Sequence, residues 1–360
     1  NISQNAFVVD KLINEGALIL GKTNLSEWAY YFCNNCPSGY SAKGGQTLNP
    51  YARKKFDSGG SSSGSGAAIS ANFSSVSLGS ETSGSILSPS SANSIVGLKP
   101  TIGLVSRSGI VPISSTLDTS GPMTKNVIDN AIVLKAISGY DPDDSKSVNK
   151  SNIDLESIIN SNLKGKRFGV FKDYLSDSLY LNAINKIKKS GGTIIEFSPP
   201  KVDFSDFRKI LDFDMKFDLP KYFKKNNILF NSINDIVEFN SKDSLLRSPY
   251  GQGIFKSIVS DSTKLDEINS IKTRIKTEGK KYFDIAIEKY KLDAIISINN
   301  YHAGYAAGAY YPCLTVPMGY DEVGKPFNLT FISPSFTENK LLQIGYAFEK
   351  ETNFRVKPFN

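Results

Sequence analysis

Residues 58–92 read SGGSSSGSGAAISANFSSVSLGSETSGSILSPSSA, and the interpretation of the whole chain depends on this serine- and glycine-rich stretch. Its serines are too dense for ordinary solvent-facing positions, and the glycines between them permit close backbone approach and positive φ angles. A flexible polar linker is the alternative interpretation. Against a linker, a small-residue helix pattern at 66–72 and a short strand pattern at 76–79 interrupt the stretch. We therefore predict that these serines are fixed at the ends of helices and strands near the core.

The rest of the chain alternates between short apolar strands and amphipathic helices. The pattern predicts further strands at 17–20, 95–101, 167–171, 193–197, 292–298, 313–318 and 327–332. It predicts further helices at 5–16, 126–139, 180–190 and 340–352, and a long helical region at 203–290. Short buried strands between helices indicate an α/β protein with a large sheet. The chain has no internal repeat and no clear linker, so we predict one domain.

Composition excludes several classes of function. The net charge of +7 comes from 42 basic and 35 acidic residues, and the lysines are spread along the chain, which is typical of a solvated surface and not of a nucleic-acid interface. No apolar run approaches the roughly 18 to 20 residues that cross a bilayer. The three cysteines, Cys33, Cys36 and Cys313, complete no zinc pattern and do not indicate a disulfide scaffold. We expect structural or incidental thiols and no bound metal.

The segment Gly16–Thr23 matches the phosphate-loop pattern G-x-x-x-x-G-K-[ST] letter for letter. A phosphate loop follows a strand, opens a helix and points its backbone N–H groups inward. Here a predicted helix comes first, and the intervening Ala-Leu-Ile-Leu is itself a strand pattern whose N–H groups belong to a sheet. We therefore expect no nucleotide at Lys22 and no cofactor.

A serine nucleophile needs a base, which is usually histidine. The only histidine of the chain is His302, in a loop where a structural role is the commoner one. A lysine that burial keeps neutral can replace it. The tight turn Thr82–Ser85 could direct successive backbone N–H groups at one oxygen and so form an oxyanion hole.

At this point several ordered motifs carry a family resemblance. They are GALILGKTNLSEWA, GGQTLNP, GGSSSGSGAA, GSETSGSI, VGLKPTIGLVSRSGIVPIS and DTSGPM. Together they resemble the core of the amidase signature family over residues 5–140, and weaker matches extend to the C-terminus. The resemblance implies an α/β fold in which helices cover both faces of a large mixed sheet. It also implies one domain, 1–360, that lacks its N-terminal part and has a helical variable region at 203–290.

The resemblance implies a Ser, cis-Ser and Lys triad that hydrolyses amides by acyl transfer through a serine ester. The family's nucleophile corresponds to Ser85. Its bridging serine, which follows a cis peptide bond, corresponds to Ser61. The implied substrate is a small-molecule or peptide amide.

The resemblance also assigns supporting roles around the nucleophile. The oxyanion hole maps onto the N–H groups of Thr82, Ser83 and Gly84, while Ser62 and Glu81 support the site from outside. Glu81 stands where aspartate is common in the family, and it is expected to orient the turn as an acceptor. Leu87 stands where many members have arginine.

The most serious departure from the family pattern concerns the base. Family members carry the catalytic lysine in a V-K-D-N-like segment upstream of G-K-T-N, and this sequence has no such segment. We expect a fragment whose lysine lies upstream and which is inactive alone. The alternatives are an inactive, lysine-less pseudo-amidase scaffold and the A subunit of a tRNA-dependent amidotransferase. The stand-alone amidases, including peptide amidases, are the closer resemblance.

The sequence also bears on the partners and the cellular compartment of the protein. We expect no nucleic-acid partner and no membrane association, and the interpretation allows a homodimer. The cytoplasm is the expected compartment, with a signal peptide in the missing N-terminal part as the alternative.

Overall fold

In the computed structural model, which describes residues 4–358, eight strands form one mixed sheet and two further strands form a small hairpin. The hairpin strands are β1 (Tyr40–Ser41) and β2 (Gly45–Gln46). The sheet strands are β3 (Val76–Glu81), β4 (Val96–Lys99), β5 (Thr119–Thr124), β6 (Arg167–Phe171), β7 (Thr193–Phe197), β8 (Ala294–Ile298), β9 (Cys313–Tyr320) and β10 (Pro326–Ile332). Their order across the sheet is β3-β5-β4-β9-β10-β8-β6-β7.

The sheet is antiparallel from β3 to β8, and it becomes parallel where β8 meets β6 and β6 meets β7. Parallel strands need crossover connections, and helices supply them here. The predicted α/β class with a large mixed sheet is therefore confirmed.

Among the described residues, thirteen α-helices surround the sheet. They are α1 (Phe7–Asn14), α2 (Ser63–Ser70), α3 (Leu87–Ala92), α4 (Val127–Ile137), α5 (Leu155–Ile159), α6 (Ser178–Lys189), α7 (Phe207–Lys225), α8 (Ile233–Ser241), α9 (Ser244–Arg247), α10 (Gly253–Ser260), α11 (Leu265–Tyr290), α12 (Ala303–Ala309) and α13 (Glu338–Thr352). Five of them, α7 to α11, occupy the region that the sequence predicts to be helical. Within residues 4–358, no helix is both long and apolar enough to cross a membrane.

Helices cover both faces of the sheet because alternate strand residues point to opposite sides. On one face Ile296 and Val316 pack in a core with α4, α6 and α13. On the other face Ile295 and Cys313 pack in a core with α3, α11 and α12. All five residues of β8 are buried, as a strand covered on both sides requires.

The predicted strand at 17–20 is wrong. The backbone is extended there but belongs to no strand, and the side chains of Leu18 and Leu20 are 88% and 77% exposed. An apolar four-residue run becomes a strand only where a neighbouring strand takes its N–H and C=O groups. In residues 4–358 this run has no such neighbour.

Strand β5 is an element that the sequence analysis did not identify, because Gly121 and Pro122 resemble turn residues. In the structure Gly121 has no room for a side chain, since a Cβ there would lie 2.0 Å from the carbonyl oxygen of Leu98. The Pro122 carbonyl accepts a hydrogen bond from the Asn130 side chain at 3.0 Å. Close packing between strands therefore explains Gly121, and the carbonyl of Pro122 links β5 to α4.

The expectation of free thiols at Cys33 and Cys36 is also wrong, because the two residues form a disulfide. Cys33 and Phe32 are buried in a separate core with residues of α7, α8 and α10. The disulfide therefore lies where the chain near the N-terminus meets the helical region. Whether residues 1–360 form one domain stays a prediction.

Candidate active site

The turn that leaves β3 carries most of the expected site. β3 ends at Glu81, residues 82–86 form the turn, and α3 begins at Leu87. Gly84 adopts a φ of +90°, a conformation that L side chains rarely adopt, and a Cβ there would lie 3.0 Å from the Asn300 side-chain nitrogen. The turn is therefore tight, and the loop before α12 holds it from outside.

A second loop brings Ser61 to the same place. The peptide bond between Gly60 and Ser61 is cis, as the resemblance implies. Gly59 has a φ of +68°, and a Cβ there would lie 2.5 Å from Cα of Pro89 in α3. The Ser61 loop therefore packs directly on the helix that follows the turn, and Ser61 itself is 2% exposed.

Ser62 joins the two loops. Its main-chain N–H donates to the carbonyl oxygen of Ser85 at 3.1 Å. Its hydroxyl donates to the carbonyl oxygen of Ser80 at 3.2 Å and accepts from the Ser80 N–H at 3.2 Å. Gly79, which lacks a side chain, leaves room for this hydroxyl. Ser62 therefore ties the Ser61 loop to both β3 and the turn.

The carboxylate of Glu81 organises the turn from within. Oε1 accepts the N–H of Gly84 at 2.6 Å, and Oε2 accepts the N–H groups of Ile86 and Leu87 at 2.7 and 3.0 Å. Glu81 is 1% exposed. Burial raises the pKa of this carboxyl, whereas the buried Lys99 and the three N–H groups lower it. Glu81 therefore holds three main-chain N–H groups of the turn, and its supporting role in the site stays a prediction.

These bonds bear on the expected oxyanion hole. The Gly84 N–H already donates to Glu81, so it is not free for a substrate oxygen in this conformation. Across residues 4–358, the N–H groups of Thr82 and Ser83 have no hydrogen-bond acceptor. Two adjacent free N–H groups in a tight turn can stabilise a developing oxyanion.

Asp118 is a site residue that sequence reasoning missed. Its Oδ1 accepts the Thr82 hydroxyl at 2.6 Å, and its Oδ2 accepts the N–H groups of Ile113 and Ser114 at 2.9 and 2.8 Å. Burial raises the pKa of Asp118 to about 6. The motif DTSGPM contains this residue, but only its position beside the turn shows that it fixes Thr82.

A cavity of about 240 Å³ opens over these groups. Ser61, Thr82 and Ser85 contribute to its wall, whereas Ser62, Ser83 and Gly84 lie behind it. The rest of the wall includes the loop at 107–115 and charged residues of α7. The structure thus brings both candidate serines to one cavity.

His302 and Lys22, the alternative candidates for the base, lie outside the cavity. His302 is buried outside the cavity, with its ring stacked on Phe171 at 3.9 Å and its Nδ1 2.6 Å from the Ser297 hydroxyl. Burial lowers the pKa of His302 to about 4. Lys22 is exposed, and no lysine among residues 4–358 forms a hydrogen bond with the Ser61 or Ser85 hydroxyl. The same residues contain no cluster suited to a metal ion.

Comparison with known proteins identifies the family of this chain. The Amidase family profile matches residues 2–297. A probable amidase of Arabidopsis thaliana is 36% identical over 99% of this chain and 72% of its own length. The A subunit of a glutamyl-tRNA(Gln) amidotransferase from Caldanaerobacter subterraneus is 33% identical over 98% of the chain and 78% of its own.

A solved structure gives the same result. The native peptide amidase of Stenotrophomonas maltophilia superposes with a TM-score of 0.91 at 33% identity, over 99% of this chain and 78% of that one. The protein therefore belongs to the amidase family, as its ordered signature motifs imply.

Proposed function

We propose that the protein hydrolyses amides through a serine ester formed on Ser85. The Ser85 oxygen attacks the substrate carbonyl and forms a C–O bond, while its proton passes through Ser61 to a neutral lysine. Collapse of the tetrahedral intermediate breaks the C–N bond, and the same relay protonates the departing ammonia or amine. Water then attacks the ester and releases the acid, which regenerates the Ser85 hydroxyl.

The observation that carries this proposal is the convergence of two serines from separate loops on one cavity. Ser61 and Ser85 both line the cavity, and the chain immediately after Ser61 is bonded to Ser85 through the Ser62 N–H. A nucleophile and its proton acceptor need this kind of fixed relation, because acyl transfer depends on their mutual orientation.

The turn supplies the electrostatic part of the mechanism. In the proposed acylation step the N–H groups of Thr82 and Ser83 donate to the oxyanion. Asp118 holds the Thr82 side chain, and Glu81 holds the turn beyond it. Preorganised donors of this kind contribute about 2.7 to 4 kcal/mol each to catalysis in other enzymes.

The resemblance alone supports the third member of the triad. We assign the base to a lysine that precedes residue 1, in the segment where the family carries it. On this proposal residues 1–360 alone lack the base and hydrolyse amides poorly.

The substrate class is a small-molecule or peptide amide. The 33% identity to a peptide amidase over 99% of the chain favours a peptide amide as the substrate. The similarity to the amidotransferase protein supports a second candidate, release of ammonia from an amide for transfer to a partner-bound substrate. The two differ in whether a partner stimulates ammonia release.

The test replaces Ser85 by alanine in the protein expressed from its complete gene. Ser85→Ala should abolish release of ammonia from peptide amides and labelling by a fluorophosphonate, whereas Ser70→Ala, in a buried serine of α2 outside the cavity, should leave both unchanged. Turnover retained by Ser85→Ala would contradict the assignment. An unlabelled wild-type protein would indicate an inert scaffold, and ammonia release that requires glutamyl-tRNA would favour the amidotransferase.

A further inference from the structure

The wall of the cavity opposite the turn is built from ion pairs. Asp144 accepts from the Arg107 guanidinium at 2.9 Å through Nε, and the Nη1 of Arg107 donates to the carbonyl oxygen of Ser115 at 2.5 Å. Asp144 is 3% exposed and Arg107 14% exposed at the side chain. Three of the five guanidinium N–H groups are therefore bonded to the protein, and the positive charge is already paired with the buried carboxylate of Asp144.

The two remaining cations that line the cavity are also paired. Lys221 lies 3.2 Å from Asp218, and Lys225 lies 3.0 Å from Asp143. Asp218 additionally accepts the Ser115 N–H at 2.9 Å, which fixes its carboxylate at the wall. The Lys225 pair joins α7 to the loop after α4, across the cavity.

The balance of charge around the cavity is negative. Among residues 4–358, the wall contains three cationic side chains, each of them paired with an aspartate. It also contains five carboxylates, which are Glu81 and four aspartates, and one of these, Asp118, has only hydroxyl and N–H partners. Lys221 is 75% exposed and could swing away toward a ligand. Such a movement would leave Asp218 without its cation, so the wall would gain no net positive charge for an incoming anion.

We propose that this cavity selects amides whose acyl part is neutral or cationic and rejects those that carry a carboxylate. The proposal rests on the proposed function, and it deepens that function by naming the charge of the substrate. A protonated amine on the acyl part would lie among the aspartates at favourable Coulomb energy, whereas a carboxylate would face them without a free cation. Free glutamine carries both a carboxylate and an ammonium on its acyl part, so it tests the charge selection less directly than an amide with a single charge.

The experiment compares amides that differ only in side-chain charge. N-acetyl-norleucinamide, N-acetyl-lysinamide and the α-amide of N-acetyl-glutamate are assayed for ammonia release with the protein expressed from its complete gene, and glutamine is added as a fourth substrate. We expect kcat/KM for the carboxylate-bearing amide to be about tenfold or more below that of the neutral one, because a like-charge contact at about 4 Å near a protein surface exceeds the roughly 1.4 kcal/mol that a tenfold ratio represents. The lysinamide should equal or exceed the neutral amide.

A variant of one wall residue provides the matched comparison. Asp218→Asn can keep the bond from the Ser115 N–H through its amide oxygen while it removes one negative charge. It should therefore reduce the ratio of kcat/KM for the neutral amide to kcat/KM for the anionic amide several-fold. Asp203→Asn is the control, since Asp203 also accepts an N–H and pairs with an arginine but lies outside the cavity. Asp203→Asn should leave this ratio of kcat/KM values unchanged.

The outcomes separate the two proposals. Equal kcat/KM across the series, or preference for the carboxylate, would overturn the charge selection while amide hydrolysis stands. Absence of ammonia from every amide would overturn the proposed function. In that case calorimetric binding of the same amides to Ser85→Ala still decides the charge selection, which requires weaker binding of the glutamate amide.

Discussion

The main-chain N–H of Ser62 donates to the carbonyl oxygen of Ser85 at 3.1 Å, so the residue that follows the bridging serine is bonded to the candidate nucleophile itself. The relation between the two candidate catalytic residues is therefore set by main-chain contacts as well as by side-chain rotamers. Any change that displaces the loop at 59–62 should move Ser61 away from Ser85.

Gly59→Ala tests this dependence. Its φ of +68° disfavours a side chain, and the new Cβ would lie 2.5 Å from Cα of Pro89, a backbone atom that cannot rotate away. We expect a loss of about 2 to 5 kcal/mol in the free energy of unfolding, measured by urea denaturation, together with loss of amide hydrolysis. Gly16→Ala is the control, because Gly16 has a φ of +84° but no atom within 4 Å of the added Cβ. It should cost only about 1 to 2 kcal/mol, and an equal cost at both positions would disprove the role of the contact with α3.

Glu81→Gln tests the carboxylate that holds the turn. Both oxygens of Glu81 accept N–H groups, so a glutamine must turn its NH₂ toward at least one main-chain donor. We expect kcat to fall by about 100-fold, as for loss of one oxyanion donor, and the free energy of unfolding to fall by about 1 to 3 kcal/mol.

Glu338→Gln is the matched control for that variant. Glu338 is also 1% exposed and near Lys99, but its hydrogen-bond donors come from Thr101 and from its own N–H, and none comes from the turn. A glutamine can keep the bond from the Thr101 N–H, which reaches Oε1 at 2.7 Å. Glu338→Gln should therefore leave kcat within a few-fold of wild type. If the two variants lost activity equally, the effect would come from the lost charge beside Lys99 and not from the geometry of the turn.

Much of the fold could be predicted because the sheet strands carry strong local patterns. RFGVF and TIIEF are β6 and β7 to the residue, since each is a short run of strand-forming residues bounded by polar or glycine positions. The run at 17–20 has the same local pattern yet forms no strand, because strand formation also requires a partner that local sequence cannot reveal.

In the candidate site, too, local motifs could be predicted from the sequence and tertiary contacts could not. The positions of Ser61 and Ser85 follow from ordered motifs, which are local. The support that Asp118 gives to Thr82 spans 36 residues, and the acceptance of the Gly84 N–H by Glu81 depends on the detailed path of the turn. Such contacts arise from tertiary packing, so residue spacing alone could not indicate them.

His302→Asn tests the alternative in which histidine is the base. An asparagine can keep the bond to Ser297 while it removes the ring that stacks on Phe171. Because His302 lies outside the cavity, we expect amide hydrolysis to stay within about threefold of wild type, and the free energy of unfolding at pH 7 to fall by about 1 kcal/mol through loss of the aromatic pair. Abolished turnover in a folded variant would instead support a Ser-His mechanism.

The pH dependence of stability gives a second measurement on the same variant. The folded-state pKa of His302, about 4, lies below its usual 6.5, because burial disfavours the charged ring. The folded protein therefore binds this proton more weakly than the unfolded chain, and the stability is present above pH 6.5 and lost as the pH falls toward 4. The pKa difference between 6.5 and about 4 corresponds to about 3 kcal/mol, since one pKa unit is about 1.4 kcal/mol. His302→Asn should therefore lose about 3 kcal/mol less stability than wild type when the pH falls from above 6.5 to below 4.

Asp118→Asn should change the pH dependence of the free energy of unfolding in the sense opposite to His302→Asn. Burial raises the pKa of Asp118 from 3.8 to about 6, so the folded protein binds this proton more tightly than the unfolded chain. The corresponding stability is present below pH 3.8 and lost as the pH rises through 6. Asparagine carries no such charge, so the variant's free energy of unfolding relative to wild type should rise by about 2.4 kcal/mol between pH 4 and pH 7, measured by urea denaturation at each pH. Asp203→Asn should show the reverse trend, because hydrogen bonds from Ser205 and Arg274 lower the pKa of that exposed carboxyl. A pH-independent difference for Asp118→Asn would mean that the carboxylate beside Thr82 is not the buried, hard-to-ionise group that its contacts imply.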